Sequence, residues 1–563
     1  MYNFKEIYKL LTNRQGKTVL IIAISSICLA LIPTAARSDE AGDKALAYKK
    51  VREHVSIADP AKQVLTPEGE FITVFNDKPV TGWITKKIDM KLLNEISARL
   101  SGELRIELNS QGFPPAATRE TEGKADNTNY DAIWVRDSVW VYYSLLSDPS
   151  RKDDARKLLL ALWDYYSTDA ETARFSDIIV HPERSLDQMA MPHIRFDGSS
   201  QPLGDVIVNG KPEVWNHRQI DAHGIFFTAL GEAVRSGLVT KDDLTQKRHR
   251  VLSLYPLFLK KINFSSYEDA GAWEELPRKN SSSIALATRS IQVWKKVFYS
   301  DRTPLAREFT KKFFDLMQEA DKEAKTTWSS KELQSLEKSG LATVRRQLLL
   351  GGESPDYPPG DIRFRLADAA LLVLIIPSTL EGLSEAEQRK TLLIVESLKR
   401  KAGILRYSND SYQGGNYWIA VPSANEKDKP TLTGDTSSKD AFLWRLSKLI
   451  PDTEAQWFFD SIMTLARLRM AESTKDSALK RLDIHLATIH LKRALGQLTG
   501  DRMITADGKS VKPLRSPESI NTVVIDGKSY YLPSPITPLN WSKATLGMAI
   551  REYGRIALGN KGN

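Results

Sequence analysis

About a dozen segments with apolar residues at helical spacing follow one another from residue 127 to the C-terminus, with little strand signal between them. They fall at residues 131–147, 151–168, 217–236, 241–261, 281–299, 303–324, 330–350, 366–376, 384–401, 439–449, 453–472, 477–498 and 541–558. Stretches such as ALLVLII and GIFFTAL are apolar over most of a helical circumference, which suits helices enclosed by other helices. An all-α fold arranged as a double ring accommodates both the enclosed and the amphipathic segments. No short fixed period recurs, which disfavours a solenoid.

Residues 1–38 read differently. A basic stretch (Lys5, Lys9, Arg14, Lys17) precedes an apolar run, TVLIIAISSICLALIP, and then the small residues of TAARS, the order of a secretory signal peptide. The run is short for a membrane span, so no stable span is expected after cleavage near Ala36 or Ser38, and a periplasmic or secreted location follows. The single cysteine, Cys28, lies inside this run, so a mature chain has no disulfide and no thiolate metal site. Residues 39–122 form a mixed α/β cap. EFITVFNDKPVTGWI reads as strand, Asn-Asp turn, strand, and residues 90–104 as a helix. Residues 123–563 make up the helical domain.

The formal charge of +9 is partly carried by the signal, and +5 remains for the rest. With no basic stripe interleaved with aromatics, nucleic acid is not an expected partner. No Walker motif, dinucleotide fingerprint or His/Cys cluster is present, so no cofactor and no obligatory metal are expected. Oligomeric state leaves no mark in the sequence.

The loops between helices carry Trp, Tyr, Arg and carboxylates together, the mixture that stacks on sugar rings and hydrogen-bonds their hydroxyls. In AWEE, Glu274 lies beside Trp273 and a second carboxylate, Glu275, where ionisation is disfavoured and a general acid could form. Two plain glutamates at a helix start would look the same. In YDAIWVRDSVW, Arg136 and Asp137 diverge by about 100° on a helix, so they cannot simply satisfy each other. Either they pair with other helices or they hold vicinal hydroxyls. GILRYSNDSYQGGNYW gathers Arg406, Tyr407, Asp410, Tyr412 and Trp418 around two glycines, and reads equally as a tight turn or a ligand loop. Glu518, in SPESI, is expected in a loop.

In order, these pieces resemble the inverting glucoamylases and glucodextranases and the related domain of the phosphorylase kinase α and β subunits. The W-x-R-D helix is similar to Trp134–Asp137, and the Q-x-D-A segment to Gln219–Ala222. W-E-E is similar to Trp273–Glu275, and R-Y-x-x-D-x-Y-x-G-G-N-x-W to Arg406–Trp418. P-E corresponds to Pro517 and Glu518, and P-L-x-W-S-x-A to Pro538–Ala544. The resemblance spans roughly residues 127–558 and implies a toroid of six α-hairpins with a funnel-shaped site. It implies Glu274 as general acid and Glu518 as the base that activates water. Trp134, Arg136, Asp137, Trp273, Glu275, Arg406, Tyr407 and Trp418 would bind an α-glucan or α-glucoside oligosaccharide. The activity implied is inverting, exo-acting release of glucose. The regulatory relatives leave a second expectation, a non-catalytic glycan-binding or regulatory module. Ser519 stands where bacterial relatives often carry Gln, and residues 479–502 form an unusually basic helical stretch, both of which weigh on the base and the substrate.

Overall fold

The computed structural model describes residues 61–75, 78–117, 130–317, 322–410, 412, 438–447, 452–506 and 508–559, with a few single residues between 45 and 55. The expected signal peptide, with Cys28, lies outside the described residues, as does Trp418. Among the described residues no helix is long and apolar enough to cross a membrane.

The chain opens with an antiparallel pair, β1 (Lys62–Leu65) and β2 (Phe71–Val74), followed by helices α1 (Lys78–Ile84) and α2 (Met90–Leu100). The expected second strand at residues 78–84 is therefore a helix. Its buried positions Val80, Trp83 and Ile84 have the 3–4 spacing of one helical face. Asp89 caps α2 by accepting from the Leu92 amide at 2.8 Å.

The helical domain continues with α3 (Val135–Leu146), α4 (Lys152–Tyr166), α5 (Asp169–Val180), α6 (Ile220–Ser236), α7 (Gln246–Lys261) and α8 (Ser281–Tyr299). The segment expected at 303–324 contains α9 (Pro304–Asp315) and the start of α10 (Lys322–Thr327), and α11 (Ser330–Leu350) follows. Residues 366–376 yield only a 3₁₀ helix, Ala369–Leu374. Then come α12 (Glu385–Glu396), α13 (Lys439–Ser447), α14 (Asp460–Ser473), α15 (Ser477–Gly496) and α16 (Asn540–Ile556).

Packing closes these helices into a ring. α3 packs on α6, α6 on α8, α8 on the 3₁₀ segment, that segment on α14, α14 on α16, and α16 returns to α3. Outside it, α4 lies on α3, α11 on α8, α12 on the 3₁₀ segment, α15 on α14 and α2 on α16. The sequence difference between the layers follows from this placement: α8 is buried almost all round, whereas α11 buries one face through Leu333, Val344 and Leu348. Where α6 and α8 cross, a Cβ on Gly224 would stand 2.6 Å from the Ala287 amide nitrogen, so only glycine permits that approach. The fold is all-α, an (α/α) toroid, and β2, α1 and α2 contribute to the same core.

Two departures bear on the site. The first residues of the helix expected at 453–472 form a strand, β7 (Thr453–Trp457), and helix begins only at Asp460. β7 pairs with β8 (Ser519–Ile525), which pairs with β9 (Lys528–Pro533). Between β8 and β9, Asp526 (φ 52°) and Gly527 (φ 75°) take the left-handed conformations of a tight hairpin turn. Secondly, a two-residue bridge sets β3 (Ile133–Trp134) against β4 (Arg195–Phe196), so that Trp134 faces Arg195, and a short hairpin of β5 (Ile207–Val208) and β6 (Lys211–Pro212) follows.

Candidate active site

At one end of the ring a pocket of about 110 Å³ opens between the loops. Its walls include Trp134, Arg136, Asp137, Trp273, Glu274, Arg406 and Glu518, contributed by segments far apart in the chain.

Glu274 ends a 3₁₀ turn, Gly271–Trp273, in a left-handed conformation (φ 58°), a backbone state disfavoured for a residue with a side chain. Asp269 anchors the base of this loop. It accepts from the Ile220 amide at 3.0 Å and from Asn280 Nδ2 at 2.8 Å, and it pairs through its backbone with Arg278. The turn sends the two glutamates in different directions. Glu274 faces the cavity with 20% of its side chain exposed, and its Oε1 accepts from Trp134 Nε1 at 3.2 Å and from Arg136 Nη2 at 3.3 Å. Burial raises its pKa, against the opposing charges of Arg136 and Arg195.

Glu275 is only 2% exposed and does not reach the pocket. Arg365 and Arg406 reach it at 3.1 and 3.2 Å, and the Tyr407 hydroxyl donates to it at 2.5 Å. Burial alone would raise the Glu275 pKa, but Arg365, Arg406 and Arg278 hold it well below the ordinary carboxylate range. Tyr407 is likewise behind the wall, under the guanidinium of Arg365. Glu275 and Tyr407, expected as ligand contacts, thus form the ionic bed beneath Arg406 instead.

Arg136 meets Asp221 at 2.7 Å and Gln219 at 3.0 Å, both from the start of α6 and the residue before it. These are the partners that its position beside Asp137 required. Asp137 borders the cavity, where burial raises it to about 7, opposed by Arg136 and reinforced by Glu274. Trp273 lines the pocket and donates its indole N–H to Asp368 at 2.8 Å. Arg406 is fixed by Asp410 and lies 5.1 Å from the Trp273 ring.

On the other side stands Glu518, immediately before β8 rather than within a free loop. Its amide bonds to Ile536 O at 3.0 Å. The carboxylate accepts from Tyr130 OH at 3.0 Å, Ser534 Oγ at 3.1 Å and Tyr412 OH at 3.4 Å. Burial lifts it to about 7, opposed by these hydroxyls and by Arg406. The Tyr130 ring, whose hydroxyl serves Glu518, lies 5.3 Å from the ring of Trp134, whose N–H serves Glu274. Two carboxyl groups held by different donors therefore face one cavity.

Residues 96–294 match the family model described as Glycosyl hydrolases family 15. Over this segment the chain is similar to that family. A relative from Escherichia coli (strain K12), described as an uncharacterized lipoprotein, YgeQ, is 43% identical over 164 residues. The match takes 28% of this chain and spans only 61% of the relative's length. Among solved structures, a glycosidase in complex with glucose is 14% identical, with a TM-score of 0.48, covering 83% of this chain and 99% of its own. The glucoamylase of Saccharomycopsis fibuligera is 12% identical, with a TM-score of 0.47 over 83% of this chain and 96% of its own.

The sequence alone did not point to several wall residues: Tyr130, Trp215, Asn216, Arg445, Trp457 and Trp541. Trp215 and Asn216 directly precede HRQID, so aromatic character beside that motif was the available signal. Away from the pocket, Glu171, His193 and Asp205 converge closely enough to share a cation. Arg174 already bonds to both carboxylates, and His193 Nδ1 lies 2.7 Å from Asp205.

Proposed function

We propose that the protein is an exported, inverting, exo-acting α-glucoside hydrolase that releases glucose from α-glucans or oligosaccharides. The observation that carries this reading is the pair Glu274 and Glu518, facing one pocket from opposite hydrogen-bonding environments. In inversion one carboxylic acid protonates the leaving oxygen while a carboxylate across the sugar activates water. Glu274 suits the acid: burial favours its protonated form, and Arg136 and the Trp134 N–H stabilise the carboxylate left after transfer. Glu518 suits the base, because three hydroxyls orient its carboxylate toward the pocket. Asp137 and Arg406 offer an acceptor and a donor fork for sugar hydroxyls, and Trp134 and Trp273 offer apolar faces.

Export is supported by the signal-like N-terminus and by the description of the Escherichia coli relative as a lipoprotein. The test is incubation of purified protein with maltose, isomaltose, trehalose and dextran, with the released sugar followed by NMR. Initial β-glucose is the expected product. Initial α-glucose overturns inversion, and no turnover across the panel overturns the hydrolase reading in favour of a binding module.

A further inference from the structure

Arg195 occupies a place in the site that the catalytic reading does not use. It is 2% exposed, and its guanidinium carbon lies 4.7 Å from the Trp134 ring centre and 4.1 Å from that of Trp215. The two indoles meet edge to face at 5.9 Å, so the cation sits against both. Glu213 bonds to Nη1 at 2.8 Å, while Nε and Nη2 have no hydrogen-bond partner among the described residues. An arginine buried with two unsatisfied nitrogens is costly unless the aromatic faces compensate. The contact is imposed by the fold, because the β3–β4 bridge sets Arg195 opposite Trp134. Trp134 in turn donates its indole N–H to Glu274.

We propose that Arg195 is a positioning residue for the general acid: seated against Trp134 and Trp215, it fixes the indole that orients Glu274 and governs how tightly Glu274 holds its proton. This rests on the reading of Glu274 as the acid. Arg195 does not line the pocket and acts only through its neighbours. Its charge also favours ionised Glu274, which agrees in direction with the geometry.

Two measurements on the full chain decide it. The first compares Arg195→Met, Arg195→Lys and Glu274→Gln on methyl α-glucoside, whose leaving group needs a proton, and on α-glucosyl fluoride, whose leaving group needs far less help. Arg195→Met should lose roughly tenfold or more on the methyl glucoside and little on the fluoride. Arg195→Lys, which keeps the charge, should recover part of the loss. Equal losses on both substrates overturn the inference. If Glu274→Gln shows no dependence on the leaving group, the acid assignment itself fails; if it does and Arg195→Met does not, only the present inference fails.

The second needs no turnover. With 5-fluorotryptophan incorporated and the Trp134 signal assigned by Trp134→Phe, the ¹⁹F shift is followed against pH. The midpoint should rise in Arg195→Met and stay near the parent value in Arg195→Lys. An unchanged midpoint in Arg195→Met overturns the proposal.

Discussion

Two of the places where the molecule buries charge treat it differently. Between the inner and outer layers, where α12, α14 and α15 meet, Asp460 accepts from His490 and Arg493 at 2.7 Å, Asp483 is forked by Arg389 and approached by Arg467, and Glu396 meets His490 at 3.0 Å. Asp460 and Glu396 are both held below their usual pKa. Burial opposes this, but the surrounding Arg, His and Lys outweigh it. In the pocket the balance is reversed: Glu274, Asp137 and Glu518 are all raised, with burial the leading cause. Ionic saturation marks a scaffold, and a carboxyl whose burial outweighs its cations beside a cavity is a group that can exchange a proton.

This contrast breaks if substitutions in the two places have similar effects. Glu274→Gln should lower kcat by at least about a hundredfold, the range for losing a general acid, while the melting temperature barely moves. Asp460→Ala should do the opposite. Removing one partner of a buried ionic cluster typically costs about 3–5 kcal/mol, seen as a lower urea midpoint, with kcat per folded molecule nearly unchanged. An Asp460→Ala protein of parent stability, or a Glu274→Gln protein of parent activity, would erase the distinction.

Glu518 sharpens the comparison through pH. Its folded pKa of about 7 lies above the ordinary value, so the stability it contributes is present at low pH and is lost as pH rises through 7. Glu518→Gln should therefore abolish turnover yet stabilise the protein at pH 8, by up to about 3 kcal/mol from the size of the shift, and much less at pH 4. Melting temperatures at both values check this. Between the layers, His490 is raised above 6.5 by Glu396 and Asp460 against its burial, so its contribution is likewise present at low pH and lost as pH rises through its folded pKa. The destabilisation by His490→Gln should shrink from pH 6 to pH 9.

How much of this was legible in the sequence depends on what each residue needed. The ring was readable because inner helices are apolar all round and outer ones are not, a property of single segments. The split between Glu274 and Glu275 was not readable, since two adjacent letters do not reveal a left-handed turn that sends one to the cavity and the other to Arg365 and Arg406. Arg195 carried no local signal, because its importance comes from pairing opposite Trp134, about sixty residues earlier. The β8–β9 hairpin was written as VVIDGKSYYL, two strand-like runs around Asp-Gly, and was missed because it lies within a loop valued only for Glu518. The helix expected from 453 began late because β7 is claimed by β8, a pairing across more than sixty residues that outweighs local helical spacing.

The smallest effect expected concerns the tyrosine pair on Glu518. Tyr130 and Tyr412 bond to each other at 2.8 Å and both reach the Glu518 carboxylate, Tyr412 the more weakly at 3.4 Å. A hydroxyl that donates to a carboxylate favours its ionised form, and Tyr412 lowers the Glu518 pKa in this sense. Tyr412→Phe should therefore raise that pKa. A base must be ionised to act, so the acidic limb of the kcat/KM profile should move to higher pH, by about half a unit for a hydrogen bond of this length, with the rate on the plateau nearly unchanged. If instead the basic limb moves to higher pH while the acidic limb stays, Glu518 works protonated and the roles of the two carboxyl groups are exchanged.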